Sequence, residues 1–214
     1  MDMCRLLPKG FLLQMLYYPT FITDSSNAVI GVYDKRSGEA PSVLKHLDDP
    51  YQWRAPTLHF TAAEQQVDAI VPVNMPLWVM QLPLANAIQQ LAPDALVLLP
   101  IRCVFAGKSS DNYCVLWPLH RQAVWDLAKS DWAPLPMASW PADRPFYLYD
   151  MQLIADVALT YPLVANRHHP SMLVVNDAVK QLIDSHCTTV QCLSLAEYRR
   201  DIRHRSSADK VNPA

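Results

Sequence analysis

The sequence predicts an α+β domain, and three observations carry that expectation. Hydrophobic residues make up 51% of the 214-residue chain, enough for a sizeable core, yet no apolar run approaches the roughly 18 residues of a membrane span. Two segments, Leu84 to Ala92 and Asp177 to Ser185, carry apolar residues at helical spacing, while the other apolar runs are short and strand-like. Eighteen prolines against four glycines cut the chain into brief elements and argue against glycine-rich phosphate loops. One domain over residues 1–205 is expected, with a polar tail over 206–214.

In order, Leu12 to Thr23 reads as an opening strand bent at Pro19, and Asp24-Ser25-Ser26-Asn27 as a polar turn. Ala28 to Tyr33 is a second strand. Glu39 to Pro56 holds no period and reads as a loop with a helical turn near Val43 to Leu47. Thr57 to Phe60 is a short strand. Thr61-Ala62-Ala63-Glu64 has capping-box spacing, and Asp68 to Pro76 is a proline-punctuated connector. Leu77 to Met80 is a strand, Leu84 to Ala92 a helix, and Ala95 to Ile101 a strand. Cys103 to Phe105 then leads through the polar turn Gly107 to Asn112 into Tyr113 to Trp117. A helix is expected over Gln122 to Lys129. The proline-rich stretch Asp131 to Pro145 excludes a packed helix or central strand. Phe146 to Tyr149 is a strand, and Arg167-His168-His169-Pro170 a turn. Met172 to Val175, Asp177 to Ser185 and Val190 to Leu195 close the fold as strand, helix and strand, and Glu197 to Arg205 extends as a short basic helix. One mixed or antiparallel sheet with a few packed helices accounts for this order.

One pattern goes beyond composition. Leu77 to Met80 followed by Leu84, Ala87 and Ile88 recurs 95 residues later as Met172 to Val175 followed by Val179, Leu182 and Ile183. Val97-Leu98 and Cys192-Leu193 keep the same offset. Two explanations compete: strand-helix-strand pieces resemble one another by chance, or the unit is duplicated.

Searches for chemistry return little. His168, His169, His186, Cys187 and Cys192 lack the spacing of a zinc site, so no metal and no cofactor is expected. Cys103 or Cys114 with His120 is the one nucleophile-base pairing close in sequence, but a thiol in an apolar strand is held protonated and inert. No serine-nucleophile elbow, dinucleotide fingerprint or Walker-type loop occurs. Five cysteines cannot all pair within one chain; Cys103 and Cys114 either bridge their hairpin or stay free, and a reducing, cytoplasmic setting is the simpler reading. The first eighteen residues lack a signal-peptide h-region and cleavage site.

A net charge of −2 gives no reason to expect nucleic acid. Arg199, Arg200, Arg203, His204 and Arg205 form the one basic cluster and read as a solvated helix end. Trp78, Trp117 and Trp125 occupy core-like positions. Trp53, Trp132 and Trp140 lie in proline-rich loops, where they either lid the core or anchor a protein partner. Tyr51, Trp53 and Arg54, together in an aperiodic segment beside prolines, are the leading interface candidates, with Trp132 and Trp140 second.

The run Leu77-Trp78-Val79-Met80, Leu84 to Ile88, Leu91-Ala92-Pro93 and Val97 to Ile101, with Asp126 and Ser130 beyond it and Met172 to Leu195 at the end, resembles a bacterial immunity-protein family. Its members, the immunity protein eleven-like group, are found beside polymorphic toxins. The resemblance spans about Leu77 to Tyr198 and implies a non-enzymatic, cytoplasmic antidote that binds one cognate toxin. Charge and hydropathy add no expectation of a nucleic-acid or membrane partner. Two other classes stay open from the residues: a small cysteine/histidine hydrolase, and an adaptor subunit of a secretion system.

Overall fold

The run from Trp78 to Pro118 forms a unit because each of its pieces has one apolar face to bury. In the structure, a computed structural model, residues 15–22, 30–40, 43, 49–74, 77–134, 147–169 and 171–201 are described. The strands leading to the unit are β1 (Tyr17–Phe21), β2 (Val32–Tyr33), β3 (Leu58–Phe60) and β4 (Ile70–Val71). The unit itself contains β5 (Trp78–Gln81), α1 (Leu82–Leu91), β6 (Leu96–Pro100), β7 (Cys103–Phe105), β8 (Lys108–Ser110) and β9 (Tyr113–Pro118). There follow β10 (Arg121–Gln122), β11 (Asp131–Ala133), β12 (Tyr147–Asp150), β13 (Leu163–Asn166), β14 (Leu173–Val175), α2 (Asp177–His186) and β15 (Val190–Ser194). The fold is α+β, as the sequence predicts. Among the described residues no helix is long and apolar enough to cross a membrane.

The strands form four sheets rather than the single one expected: β10-β13-β14-β1-β15, β4-β5-β9-β6, β2-β3-β7-β8 and β11-β12. Two are mixed, with β3 parallel to β7 and β10 parallel to β13. Side chains alternate strictly across the two larger sheets. On one face Ile70, Met80, Leu96, Cys114 and Leu116 join Leu163, Leu173, Val175, Val190 and Cys192 around both helices in a shared core. On the other face Val71, Val79, Leu99 and Val115 meet Leu58, Phe60 and Phe105 of the β2-β3-β7-β8 sheet. Tyr18, Val164 and Val174 meet Val124, Trp125 and Met151 in a third cluster. Ile88 and Ile183 are both almost fully buried in the shared core, and truncating either to alanine should cost about 2–5 kcal/mol.

The helices form for legible reasons. Pro83 fits the first turn of α1, where its missing N–H has no intrahelical partner to lose, and Leu84, Ala85 and Ile88 make the buried stripe. Asn176 caps α2 by accepting from the Val179 amide at 3.1 Å, Asp177 sits in the first turn and His186 in the last.

The repeat is a repeat of structure. The sheet order β4-β5-β9-β6 matches β13-β14-β1-β15, with every neighbouring pair antiparallel in both. Both helices start and end 95 residues apart. Met80 opposes Cys114 and Ile70 as Val175 opposes Tyr17 and Leu163. Leu98 opposes Leu116 as Cys192 opposes Pro19, and Pro100 opposes Cys114 as Ser194 opposes Tyr17. The Gln81 amide donates to Ala69 O as the Asn176 amide donates to Pro162 O. Val79 and Val174 are both fully buried. Two details depart from the simple offset. β15 matches β6 at a shift of 94, because the helix-strand loop is one residue shorter in the second unit. The fourth strand of that unit is β1, taken from the opposite end of the sequence.

Other expectations are corrected. The reversal after β7 falls at Ala106-Gly107, whose φ values of 45° and 85° match a two-residue hairpin turn. Thus β7 pairs with β8, while Tyr113 to Pro118 crosses into the sheet of β5 and β6. No helix covers Gln122 to Lys129. Trp125 bridges Leu153, and the Ile154 amide donates to Val124 O, so extended pairing there replaces helical hydrogen bonds. The connector Asp68 to Pro76 holds β4, and β13 forms at Leu163–Asn166, where no strand was expected. The Thr61–Glu64 capping box is not made; Ala63 N donates to Gln66 Oε1 and Ser110 Oγ to Glu64 Oε1. The polar turn over 24–27, most of the expected turn over 43–47, and the tail beyond 205 lie outside the described residues.

Candidate functional site

β2 and β3 pair antiparallel, and their ribbon continues past the strands as Asp34 N donates to Thr57 O and Glu39 N to Arg54 O at 2.7 Å. At its far end Pro50–Gln52 forms a 3-10 turn. Asp49 caps it, its Oδ1 accepting from the Tyr51 amide at 2.9 Å, and Pro50 presets the first dihedral. The turn leaves the Tyr51 ring 62% exposed. Arg54 is held to Glu39 through both its backbone and its guanidinium, yet stays open to solvent. Its amide donates to Glu39 Oε2 at 3.1 Å and Nη2 lies 3.2 Å from Glu39 Oε1, while its side chain is 79% exposed. The amide of Arg54 is the main reason the Glu39 carboxyl sits below its ordinary range.

The opposite strand of the ribbon is held by a local network. Asp34 Oδ1 accepts from the Arg36 amide, Ser37 Oγ donates to Asp34 O, and the Thr57 amide donates to Ser37 Oγ at 2.6 Å. Gly38 permits the close crossing, since a Cβ there would lie 2.5 Å from Arg54 O and 2.6 Å from Pro56 N. Ile30 and Val32, two residues apart and so on one side of the chain, are both about half exposed at the near end of the ribbon. Sequence patterning gave that strand without indicating which of its residues stay outside.

The other interface candidates separate. Trp53 is 6% exposed and packs with Leu58, Phe60, Val71 and Phe105, so it lids the core and is not an exposed anchor. The tight turn that presents Tyr51 turns the next ring, Trp53, inward. Trp132 is half-buried against the third cluster, its Nε1 donating to Leu127 O at 3.2 Å, which makes it a packing residue of β11. Trp140 lies outside the described residues. Tyr51 lies in the short capped turn and Arg54 just after it, and Trp53 and Trp132 pack with core clusters instead.

The nucleophile-base pairing is not assembled as a reactive site. Burial pushes the thiols of Cys103 and Cys114 up to about 12. Both are free: Cys103 opposes Ser110 and Cys114 opposes Met80 and Pro100. His120 Nε2 faces Asp94 O at 2.9 Å, and its ring stacks on Tyr161 with centroids 3.8 Å apart. Arg199 of the basic cluster is spent on Asp150, its Nε and Nη2 donating to the two carboxylate oxygens at 2.6 and 3.0 Å; residues 203–205 lie outside the described set. His169 Nδ1 is 2.8 Å from Ser171 Oγ in the expected turn. Among the described residues no group of three or more His, Cys, Asp or Glu is placed to hold a metal ion.

The chain matches no protein-family model and no curated protein.

Proposed function

We propose that the chain is a cytoplasmic antidote that neutralises one cognate bacterial toxin by binding it, with the Tyr51–Arg54 end of the β2-β3 ribbon as the contact surface. The observation that carries the reading is a braced loop holding an exposed tyrosine beside an exposed arginine. Both are residue types enriched among interface hot spots, and a loop already fixed by hydrogen bonds loses little freedom on binding. The likeness of Leu77 to Tyr198 to immunity proteins supports the same class. The hydrolase alternative has thiols that stay protonated at neutral pH.

The test is co-expression with candidate toxins, taken first from any toxin gene found beside this one. Tyr51→Ala and Arg54→Ala should each weaken toxin binding by about thirtyfold, ~2 kcal/mol, with the fold intact. Cys114→Ser and His120→Asn should protect as well as the parent chain. Loss of protection in either of these folded variants, with binding retained, would favour the hydrolase and sink this reading.

A further inference from the structure

The two matched units grip each other at equivalent places by different chemistry. Ile70 of β4 and Leu163 of β13 are counterparts, since they oppose the counterparts Met80 and Val175. Two residues before each come Asp68 and Tyr161, and each reaches the helix-strand loop of the other unit or the residue that holds it. Tyr161 stacks on His120, whose Nε2 meets Asp94 O in the loop after α1. Asp68 Oδ2 instead receives the loop after α2 directly: the amides of Thr188 and Thr189 at 2.5 and 2.6 Å and their hydroxyls at 3.2 and 2.9 Å. Its Oδ1 accepts from the Ala69 amide at 2.8 Å.

These two contacts answer acid differently. A carbonyl only accepts, so His120 Nε2 is the donor to Asp94 O, and no carboxylate takes part in that contact. The Asp68 carboxylate accepts from the amides of Thr188 and Thr189 on Oδ2 and of Ala69 on Oδ1; a solvent proton on Oδ2 places an O–H against two backbone N–H groups that can only donate, while the threonine hydroxyls can turn to accept from it. We propose that Asp68 is a carboxylate latch between the two units, which opens on protonation and frees the α2–β15 loop while the Tyr161–His120 contact on the opposite side stays closed. Burial pushes the Asp68 carboxyl up, but the hydrogen bonds of Thr189, Ala69 and Thr188 outweigh it and hold the group below its ordinary range. The latch is therefore shut at neutral pH and opens only in acid, below the unfolded carboxylate range. Other titratable groups face the same loop. Cys187, held up to about 12, stays neutral throughout; Asp184, in the last turn of α2, is paired with Lys180; and His186 bonds back to Leu182 O within the helix.

Amide hydrogen exchange, corrected for intrinsic rates, tests this on the whole chain. In the parent protein the Thr188 and Thr189 amides should lose at least tenfold protection as pH falls through the carboxylate range, while Leu119, bonded to Ala95 O in the opposite loop, stays protected. Asp68→Asn should show low protection at Thr188 and Thr189 at neutral pH and no step in acid. Thr189→Val, which removes one hydroxyl donor and keeps the carboxylate, should move the step to higher pH. An unchanged step in Asp68→Asn would assign it to Asp184 or His186 and overturn the proposal. So would an unmoved midpoint in Thr189→Val, should the Asn variant fail to fold.

Discussion

Trp78 of β5 donates its indole N–H to the backbone oxygen of Ser171 at 3.0 Å, joining the first unit to the β13–β14 turn of the second. Its ring also stacks on Phe21 of β1, 6.0 Å between centroids. One side chain thus ties together both units and the strand borrowed from the other end of the sequence. Trp78→Phe keeps most of the ring and removes the donor, leaving Ser171 O without it. The expected loss is about 1 kcal/mol in urea unfolding, and Trp78→Ala should lose clearly more.

At the far end of the β2-β3 ribbon, Gly38→Ala should disturb the Tyr51–Arg54 loop, because the new Cβ meets backbone atoms that cannot step aside. A loss of about 1–3 kcal/mol in stability is expected, and the proposed antidote role adds weaker toxin binding than the parent. A Gly38→Ala protein with unchanged melting and unchanged binding would show that the crossing is looser than its distances imply.

The four described cysteines are buried, with thiols pushed up to about 12. At pH 8 only about one thiol in ten thousand is then ionised. In native protein these four cysteines should resist iodoacetamide for hours, and they should label fully once denatured. Rapid labelling of Cys114 in the folded state would contradict its burial.

Glu197 accepts from the Ser194 hydroxyl at 2.6 Å and the Ser194 amide at 2.8 Å, and Ser194 Oγ accepts from the Glu197 amide, a capping box that starts the turn of helix after β15. Those bonds hold its carboxyl below the ordinary range, the hydroxyl bond most of all. A group depressed on folding contributes stability above its unfolded pKa and loses it as pH falls through the folded one. Glu197→Ala should therefore fray this turn at neutral pH and match the parent in strong acid, as followed by exchange of the Ser194 amide. Equal fraying at both pH values would assign the effect to packing.

Both helices could be read from the sequence because their signals are local. The cap at Asn176, the proline near the start of α1 and the stripes through Ile88 and Ile183 all lie within a few turns. The strand after each helix was harder to align. With side chains alternating in period two, one residue fewer in the loop moves Cys192, not Leu193, onto the face of Leu98. Nothing local marks β1 as the counterpart of β9, since Tyr18 finds Leu193 only through the folded sheet. Trp53 was misplaced for a related reason. A loop tryptophan and a core tryptophan have the same sequence neighbours when a single capped turn decides which way the ring points. Asp68 carried no motif at all, because all but one of its donors come from Thr188 and Thr189, 120 or more positions away.

Pro19 has a consequence for how the protein is made. In the first unit β9 runs beside β5 from Trp78 to Gln81, whereas β1 registers with β14 only at Tyr17 opposite Val175. Pro19, standing where β9 has Leu116, brings no N–H to that seam. β1 is held mainly by β15, from Tyr17 opposite Ser194 to Phe21 opposite Val190. A ribosome that has delivered β1 must add more than 150 residues before either neighbour exists. The first unit can close during synthesis, but the second must wait for nearly the whole chain, with an unpaired strand exposed to chaperones in the meantime.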